Sequence, residues 1–132
     1  MNEFSVETKR RIEMIDVTDR VAAIVRESGV QSGISVVFTP HTTAAVTINE
    51  NADPAVPHDI IEKLSELIPQ RGGYRHGEGN SDAHIKSSLV GASETVIIEG
   101  GRLVLGTWQS LFFCEFDGPR KRRVYVTVIK AQ

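Results

Sequence analysis

The feature that most constrains the fold of this chain is a series of short apolar runs rich in β-branched residues, bounded by glycine or proline. Residues 34–38 lie between Gly33 and Pro40, and residues 44–48 form a second run after a polar segment. Runs of this length and composition are typical of strands rather than helices. The Gly100-Gly101 dipeptide separates two further runs and predicts a tight hairpin turn. We therefore expect a mostly antiparallel β-sheet.

Alternation also predicts strands at both ends of the chain. Near the N-terminus four apolar residues share one parity and predict a single long, half-buried strand: Phe4, Val6, Ile12 and Met14. The run at residues 102–105 is expected to continue as a strand toward Phe116. Residues 124–129 are apolar at both parities, which predicts a last strand covered on both faces.

Three segments have helical spacing. Residues 19–28 follow Thr18 as a cap and precede Gly29, which can end a helix in the left-handed conformation. Asp53 is the predicted cap of a helix that runs to about residue 68. Its predicted core-facing stripe is Ile60, Ile61, Leu64, Leu67 and Ile68. A short helix from residue 80 or 81 is expected to carry Ile85 and Leu89 inward. With 132 residues, the prediction is one compact α+β domain with about three helices packed on the sheet.

Composition and charge exclude several classes of protein. The chain is 40% hydrophobic and 24% charged, as in ordinary globular proteins, and has no apolar run near the ~20 residues of a membrane helix. A net charge of -2 provides no general attraction to nucleic acid or anionic membranes. Because the N-terminal segment is charged and Cys114 is the only cysteine, we expect a cytoplasmic protein without a secretory signal or an internal disulfide.

Catalytically capable side chains are concentrated in residues 41–53 and 75–84. His41 follows Pro40 at a strand end, a common position for a ligand or an acid-base group, although a surface histidine is the alternative. His76 and His84 flank a glycine-rich loop at a spacing that matches no standard zinc pattern. Three histidines from separate loops could still converge on one divalent ion. His58, within a predicted helix, is interpreted as structural or exposed.

Other candidates have plain structural explanations. Trp108 could stack on a heteroaromatic ring, but a single tryptophan in a β-rich domain is more often core or interface. Cys114 lies among phenylalanines and is interpreted as a buried apolar residue. The basic cluster at residues 120–123 could hold a phosphate or form a solvated face, and composition favours the solvated face.

Three long segments of the chain read HTTAAVTINENADPAVPHDI, YRHGEGNSDAHIKSSLVG and GRLVLGTWQSLFFCEFDGPRKRRVYV. Together they closely resemble the YjbQ-like family of small bacterial and archaeal proteins. The resemblance implies a compact α+β homotrimer with a pocket near the subunit boundaries. It also implies a secondary thiamine-phosphate synthase activity, which joins a phosphorylated thiazole to an aminopyrimidine diphosphate and releases pyrophosphate.

The resemblance also implies roles for particular residues. The implied catalytic residues are His41, Glu50 and His84. Substrate contacts are expected from Thr42, Asn51, Asn80, Asp82 and Arg120. His41, His76 and His84 are the implied ligands of a divalent metal, which would be zinc or another transition metal, with magnesium accompanying a diphosphate substrate. Asp53 is better explained as a helix cap.

Two other functions use the same residues. A metal-dependent hydrolase of a small phosphorylated metabolite would use the histidines to activate water. A non-catalytic trimeric metabolite-binding protein would bind the same ligand without turnover. Neither alternative involves nucleic acid or a membrane.

Overall fold

Two antiparallel sheets form the framework of the protein in the computed structural model, which describes residues 1–132. The large sheet has the strand order β1-β8-β3-β5-β6 and the small sheet has the order β2-β7-β4. The strands of the large sheet are β1 (Asn2–Glu7), β3 (Ser32–Phe38), β5 (Ser93–Glu99), β6 (Arg102–Leu103) and β8 (Lys121–Lys130). Those of the small sheet are β2 (Glu13–Asp16), β4 (Ala44–Glu50) and β7 (Gln109–Glu115).

The main core lies between the two sheets. Val37 and Val126 of the large sheet and Val46 and Phe113 of the small sheet belong to one cluster of fully buried side chains. Helix α1 (Thr18–Ser28) contributes Val21 to the same cluster. The β-branched runs form strands because their alternating side chains cover this shared apolar interior.

Two further helices cover the second face of the small sheet. Helix α2 spans Ala55–Leu67 and helix α3 spans Ser81–Val90. Phe112, Cys114 and Phe116 form a second buried cluster with Ala83 of α3. The single compact α+β domain with three helices agrees with the prediction, whereas the division of the strands into two sheets, which gives three layers, was not predicted. None of its helices is long and apolar enough to cross a membrane.

Local signals in the sequence predicted several boundaries correctly. Gly29 ends α1 with a positive φ of 73°. Gly100 and Gly101 connect β5 to β6 with φ values of 60° and 74°, which suits a two-residue hairpin turn. The Asp53 carboxylate accepts a hydrogen bond from the Ala55 N–H at 2.9 Å, as expected of the residue that caps α2.

The predicted long N-terminal strand is wrong. Phe4 and Val6 lie on β1 in the large sheet, whereas Met14 lies on β2 in the small sheet. Shared parity does not reveal that the chain changes sheets between residues 7 and 13. The predicted continuation of β6 toward Phe116 is wrong for the same reason, because β6 ends at Leu103 and β7 begins in the other sheet at Gln109.

The predicted inward faces of two helices also need correction. On α3, Ile85 is 43% exposed and Leu89 is 66% exposed, while Asp82 and Lys86 are buried. On α2 no residue is fully buried, and Leu67 is 64% exposed. In α3 the polar face turns inward because the buried Asp82 forms ion pairs with Lys86 and Arg11.

The outer face of the large sheet carries an exposed apolar surface. The register places Ile34 beside Ile97 on one side and Ile129 on the other. Ile97 is 59% exposed and Ile129 is 50% exposed. Phe38 stacks on Tyr125 farther along the same face, with ring centroids 6.3 Å apart. The last strand is therefore fully covered on one face only within this chain.

Candidate functional site

His41 is positioned by the point at which β3 leaves the large sheet. The β3–β8 register would place Pro40 opposite Arg123, and proline has no N–H to donate to the Arg123 carbonyl. The Arg123 backbone N–H donates to Nε2 of His41 at 2.9 Å. The Arg123 carbonyl accepts a long hydrogen bond of 3.5 Å from the Thr39 hydroxyl. The imidazole therefore takes the place of a strand backbone and has a fixed orientation.

The His41 side chain lines a cleft of about 580 Å³ that we call the His41–His84 cleft. Its other wall is α3, which contributes His84 and two serines. The lining residues are His41, Thr42, Ala44, His84, Ser87, Ser88, Gly91 and Ala92. The cleft volume is within the range typical of small-molecule sites. The structure thus brings together three of the predicted residues, His41, Thr42 and His84.

His76 approaches the same region from the loop between α2 and α3. Its ring meets the His84 ring edge-on, with the centroids 5.5 Å apart. A second cavity of about 340 Å³ lies there and is lined by Tyr74, Arg75, His76, Ser81, His84 and Ile85. His84 therefore lies between the two cavities and contacts both.

A buried ion pair lies beneath His41. Glu115 is fully buried, and Arg122 is 3% exposed. The Arg122 guanidinium donates to both Glu115 carboxylate oxygens and, at 2.8 Å, to the Thr43 hydroxyl. The Thr8 hydroxyl donates to the same carboxylate at 2.8 Å. This network fixes the segment that carries His41 against β7 and β8.

The environment of His41 favours its neutral form. Burial lowers the pKa of the imidazole below 6.5, and the nearby charges of Arg122, Arg123 and Arg120 lower it further, while Glu115 partly opposes them. Burial disfavours charge of either sign, whereas the arginine charges that disfavour an imidazolium also favour a negatively charged ligand.

Asp82 has a different environment from the one that its predicted role implies. Its side chain is fully buried, and its two oxygens accept hydrogen bonds from Arg11 at 3.0 and 3.1 Å. Lys86, one turn along α3, donates to the same carboxylate at 3.1 Å. Burial raises the pKa of Asp82, but hydrogen bonds from Arg11 and Lys86 outweigh it and lower the pKa below 3.8. These contacts give Asp82 a structural role, and its contact with a substrate stays a prediction.

Asn80 and Arg120 meet at a third carboxylate. The Asn80 amide and the Arg120 guanidinium both donate to Asp117, at 2.9 and 2.8 Å. The Asn80 side-chain oxygen is buried and has no hydrogen-bond partner. The two predicted substrate contacts are thus neighbours at the end of β7, and neither lines the His41–His84 cleft.

Glu50 and Asn51 lie at the opposite end of β4 from His41. Ala44 begins this seven-residue strand in the cleft and Glu50 ends it, a separation of about 20 Å at ~3.3 Å per residue. Glu50 pairs with Gln109 of β7, and the Asn51 amide donates to Asp16 at 2.8 Å. A single chain does not bring these two predicted residues to the histidines.

The predicted three-histidine metal set does not fit this chain. No group of three or more His, Cys, Asp or Glu side chains is positioned to hold a metal ion. Nε2 of His41 already accepts the Arg123 N–H, so its lone pair is used. His76 and His84 alone are close neighbours.

Sequence reasoning missed the residues that support the site. Arg122, Glu115 and Thr43 form the network under His41, and Ser87 lines the cleft. The basic cluster at residues 120–123 was a usable signal, but composition favoured a solvated surface. Only Arg122 of that cluster points inward, since Arg120, Lys121 and Arg123 are exposed.

Comparison with known proteins agrees with this architecture. The family model described as "UPF0047 protein YjbQ-like" matches residues 2–131. The UPF0047 protein MJ1081 of Methanocaldococcus jannaschii is 56% identical, over 96% of this chain and 92% of that protein. The UPF0047 protein YugU of Bacillus subtilis is 50% identical, over 98% of each chain. A solved structure of an uncharacterized YjbQ/UPF0047 protein from Clostridium acetobutylicum has a TM-score of 0.97 and 54% identity, covering 98% of this chain and all of that one. The chain therefore belongs to the YjbQ-like UPF0047 family.

Proposed function

We propose that this protein is a transferase of the secondary thiamine-phosphate synthase type, with the His41–His84 cleft as its substrate site. The observation that carries the proposal is the juxtaposition of His41 and His84 in one cleft beside the arginines that act on His41. Such a site suits a small phosphorylated metabolite, because imidazole and hydroxyl groups can contact the heterocycle while positive charge attracts the phosphate.

The proposed reaction makes specific demands on such a site. The thiazole ring nitrogen forms a bond to the pyrimidine methylene carbon, while the bond from that carbon to the diphosphate oxygen breaks. Pyrophosphate leaves with the electron pair, and the thiazole nitrogen becomes cationic. Donors that stabilise the charge on the leaving oxygen accelerate such a step. His84, between the two cavities, is the group that we assign to donate a proton to the leaving pyrophosphate.

A resident metal has no step in this proposal. The donor set predicted for it does not fit, because the Nε2 lone pair of His41 is already used. Magnesium that arrives with the diphosphate is treated as part of the substrate.

The proposal includes a homotrimer in the cytoplasm. On the apolar outer face of the large sheet, Ile97 is 59% exposed and Ile129 is 50% exposed. This face supports self-association because contiguous exposed apolar surfaces mark interaction sites. Self-association also supports the predicted roles of Glu50 and Asn51, since a neighbouring copy can supply them to a cleft that their own chain does not reach.

Activity assays on matched histidine variants test the proposal. The protein is incubated with both substrates, and thiamine phosphate and pyrophosphate are measured. We expect His84→Ala to lower turnover by about 100-fold or more, the typical contribution of acid-base catalysis. His58→Ala is the control, because the His58 side chain is 68% exposed and pairs with Asp59 and Glu62 on α2. We expect its turnover to be unchanged.

The same assay separates the alternatives. Phosphate or pyrophosphate released from the diphosphate without the thiazole would indicate a hydrolase. Saturable binding without product would indicate a metabolite-binding protein. Equal turnover of the His84→Ala and His58→Ala variants would refute the assigned role of His84.

A further inference from the structure

We propose that the Arg123 backbone N–H locks His41 as the tautomer protonated at Nδ1, which makes His41 a fixed hydrogen-bond donor to an anionic ligand oxygen. The donor role rests on the proposed function in one respect, because that function places an anionic ligand in this cleft. The tautomer itself follows from the geometry of the chain.

The first step is the direction of the hydrogen bond. A backbone amide can only donate, so the 2.9 Å contact between the Arg123 N–H and His41 Nε2 requires an unprotonated Nε2. In a neutral imidazole the single proton then lies on Nδ1. Burial and the adjacent arginines keep the ring neutral by lowering its pKa.

The second step is that local structure holds this arrangement in place. β3 ends at Phe38, and beyond this point the Arg123 N–H of β8 donates to the His41 ring. If His41 turned away, the Arg123 N–H would lose this acceptor, which carries a free-energy cost. The ring orientation and the satisfaction of the sheet backbone are therefore coupled.

The third step is what this tautomer can and cannot do. A metal ion needs an unprotonated ring nitrogen, and a general base accepts a proton at that same nitrogen. In His41 the unprotonated nitrogen is Nε2, which accepts the Arg123 N–H. A proton on Nε2 would leave two N–H groups facing each other with no acceptor between them. The Nδ1–H is the remaining functional group. Arg122 is neutralised by Glu115, but the charge of Arg123 also acts on the ring, and an N–H donor near positive charge is suited to the oxygen of a phosphate or diphosphate.

Nitrogen-15 spectroscopy of the histidine rings tests the tautomer without any substrate. Long-range proton-nitrogen correlations are recorded on uniformly labelled protein near pH 7.5, and the His41 signals are identified by their loss in His41→Gln. We expect a protonated Nδ1 and an unprotonated Nε2. A protonated Nε2, or averaged signals from two tautomers, would overturn the proposal. This result is independent of catalytic activity, so failure of the synthase assay leaves it intact.

A pair of variants at position 123 isolates the backbone donor. Arg123→Gln removes the charge and keeps the N–H, so the Nδ1–H tautomer should persist. Arg123→Pro removes the N–H, which has no strand partner on that side, and should release the ring to a mixture of tautomers. If the proline variant does not fold, the wild-type and Arg123→Gln spectra still decide the question, because loss of the Nδ1–H tautomer in Arg123→Gln would overturn the backbone assignment.

Two titrations test the donor role. Pyrophosphate should shift the His41 Nδ1 signal in the wild type, and an unchanged signal at saturating pyrophosphate would refute anion contact. Zinc should leave the His41 ring signals unchanged, whereas a zinc-dependent shift at Nε2 would show that the Arg123 contact can be displaced and would refute the fixed donor.

Discussion

Arg122→Met tests the buried network beneath the candidate site. The substitution keeps an apolar side chain of similar length but removes the guanidinium that donates to Glu115 and Thr43. Glu115 is fully buried and would keep only the Thr8 hydroxyl and the Asp117 N–H as donors. Removing one partner of a buried ion pair costs about 3–5 kcal/mol, because the other charge stays buried without compensation.

This loss is large compared with the total stability of about 5–15 kcal/mol that a domain of this kind has. Urea unfolding at one fixed protein concentration measures the free energy of unfolding and its dependence on denaturant. Arg120→Met is the matched control. Arg120 is 53% exposed and pairs with Asp117, so its removal should cost no more than about 1 kcal/mol.

A double variant separates uncompensated charge from lost packing. Adding Glu115→Gln to Arg122→Met removes the buried charge and retains an oxygen for the Thr8 hydroxyl. The free energy of unfolding of the double variant should therefore be higher than the value obtained by adding the losses of the two single variants. An Arg122→Met loss as small as that of Arg120→Met, or strict additivity in the double variant, would refute the reasoning.

Two further predictions concern Asp82 and the large sheet. Hydrogen bonds from its two basic partners outweigh burial and hold the pKa of Asp82 below 3.8, so its contribution is complete above that pH and is lost as pH falls below it. Asp82→Asn should weaken the fall of the urea midpoint as the pH drops below 3.8, and an unchanged dependence would contradict the assignment. Ile97→Lys should dissociate the proposed trimer, because Ile97 lies on the exposed apolar face. Leu67→Lys, an equally exposed position on α2, should not, and light scattering that finds the wild type monomeric would refute the trimer.

The local elements of the fold could be predicted because their causes are local. Gly29 ends α1 and Asp53 caps α2 through contacts within a few residues. The Gly100-Gly101 turn also depends on its own backbone conformation. The resemblance of long motifs correctly indicated the family, and of the pocket residues that it implied, His41, Thr42 and His84 line one cleft.

The inward face of α3 could not be predicted because its cause is distant in sequence. Helical spacing assigned Ile85 and Leu89 to the core, since apolar side chains are usually the buried ones. The charged residues Asp82 and Lys86 are buried instead, because Arg11, 71 residues away, completes their ion pairs. No local pattern reveals such a partner.

By itself the sequence determined most element types, the helix ends at Gly29 and Asp53, the family and the set of chemically capable side chains, because these depend on composition and short-range geometry. Only the tertiary structure decided which sheet each strand joins and which histidines meet. It also decided the protonation of His41, since Nε2 accepts a hydrogen bond from the Arg123 backbone, 82 residues away. That contact exists because the chain leaves β3 after Phe38 beside β8, and pairing between distant strands is a property of the folded chain.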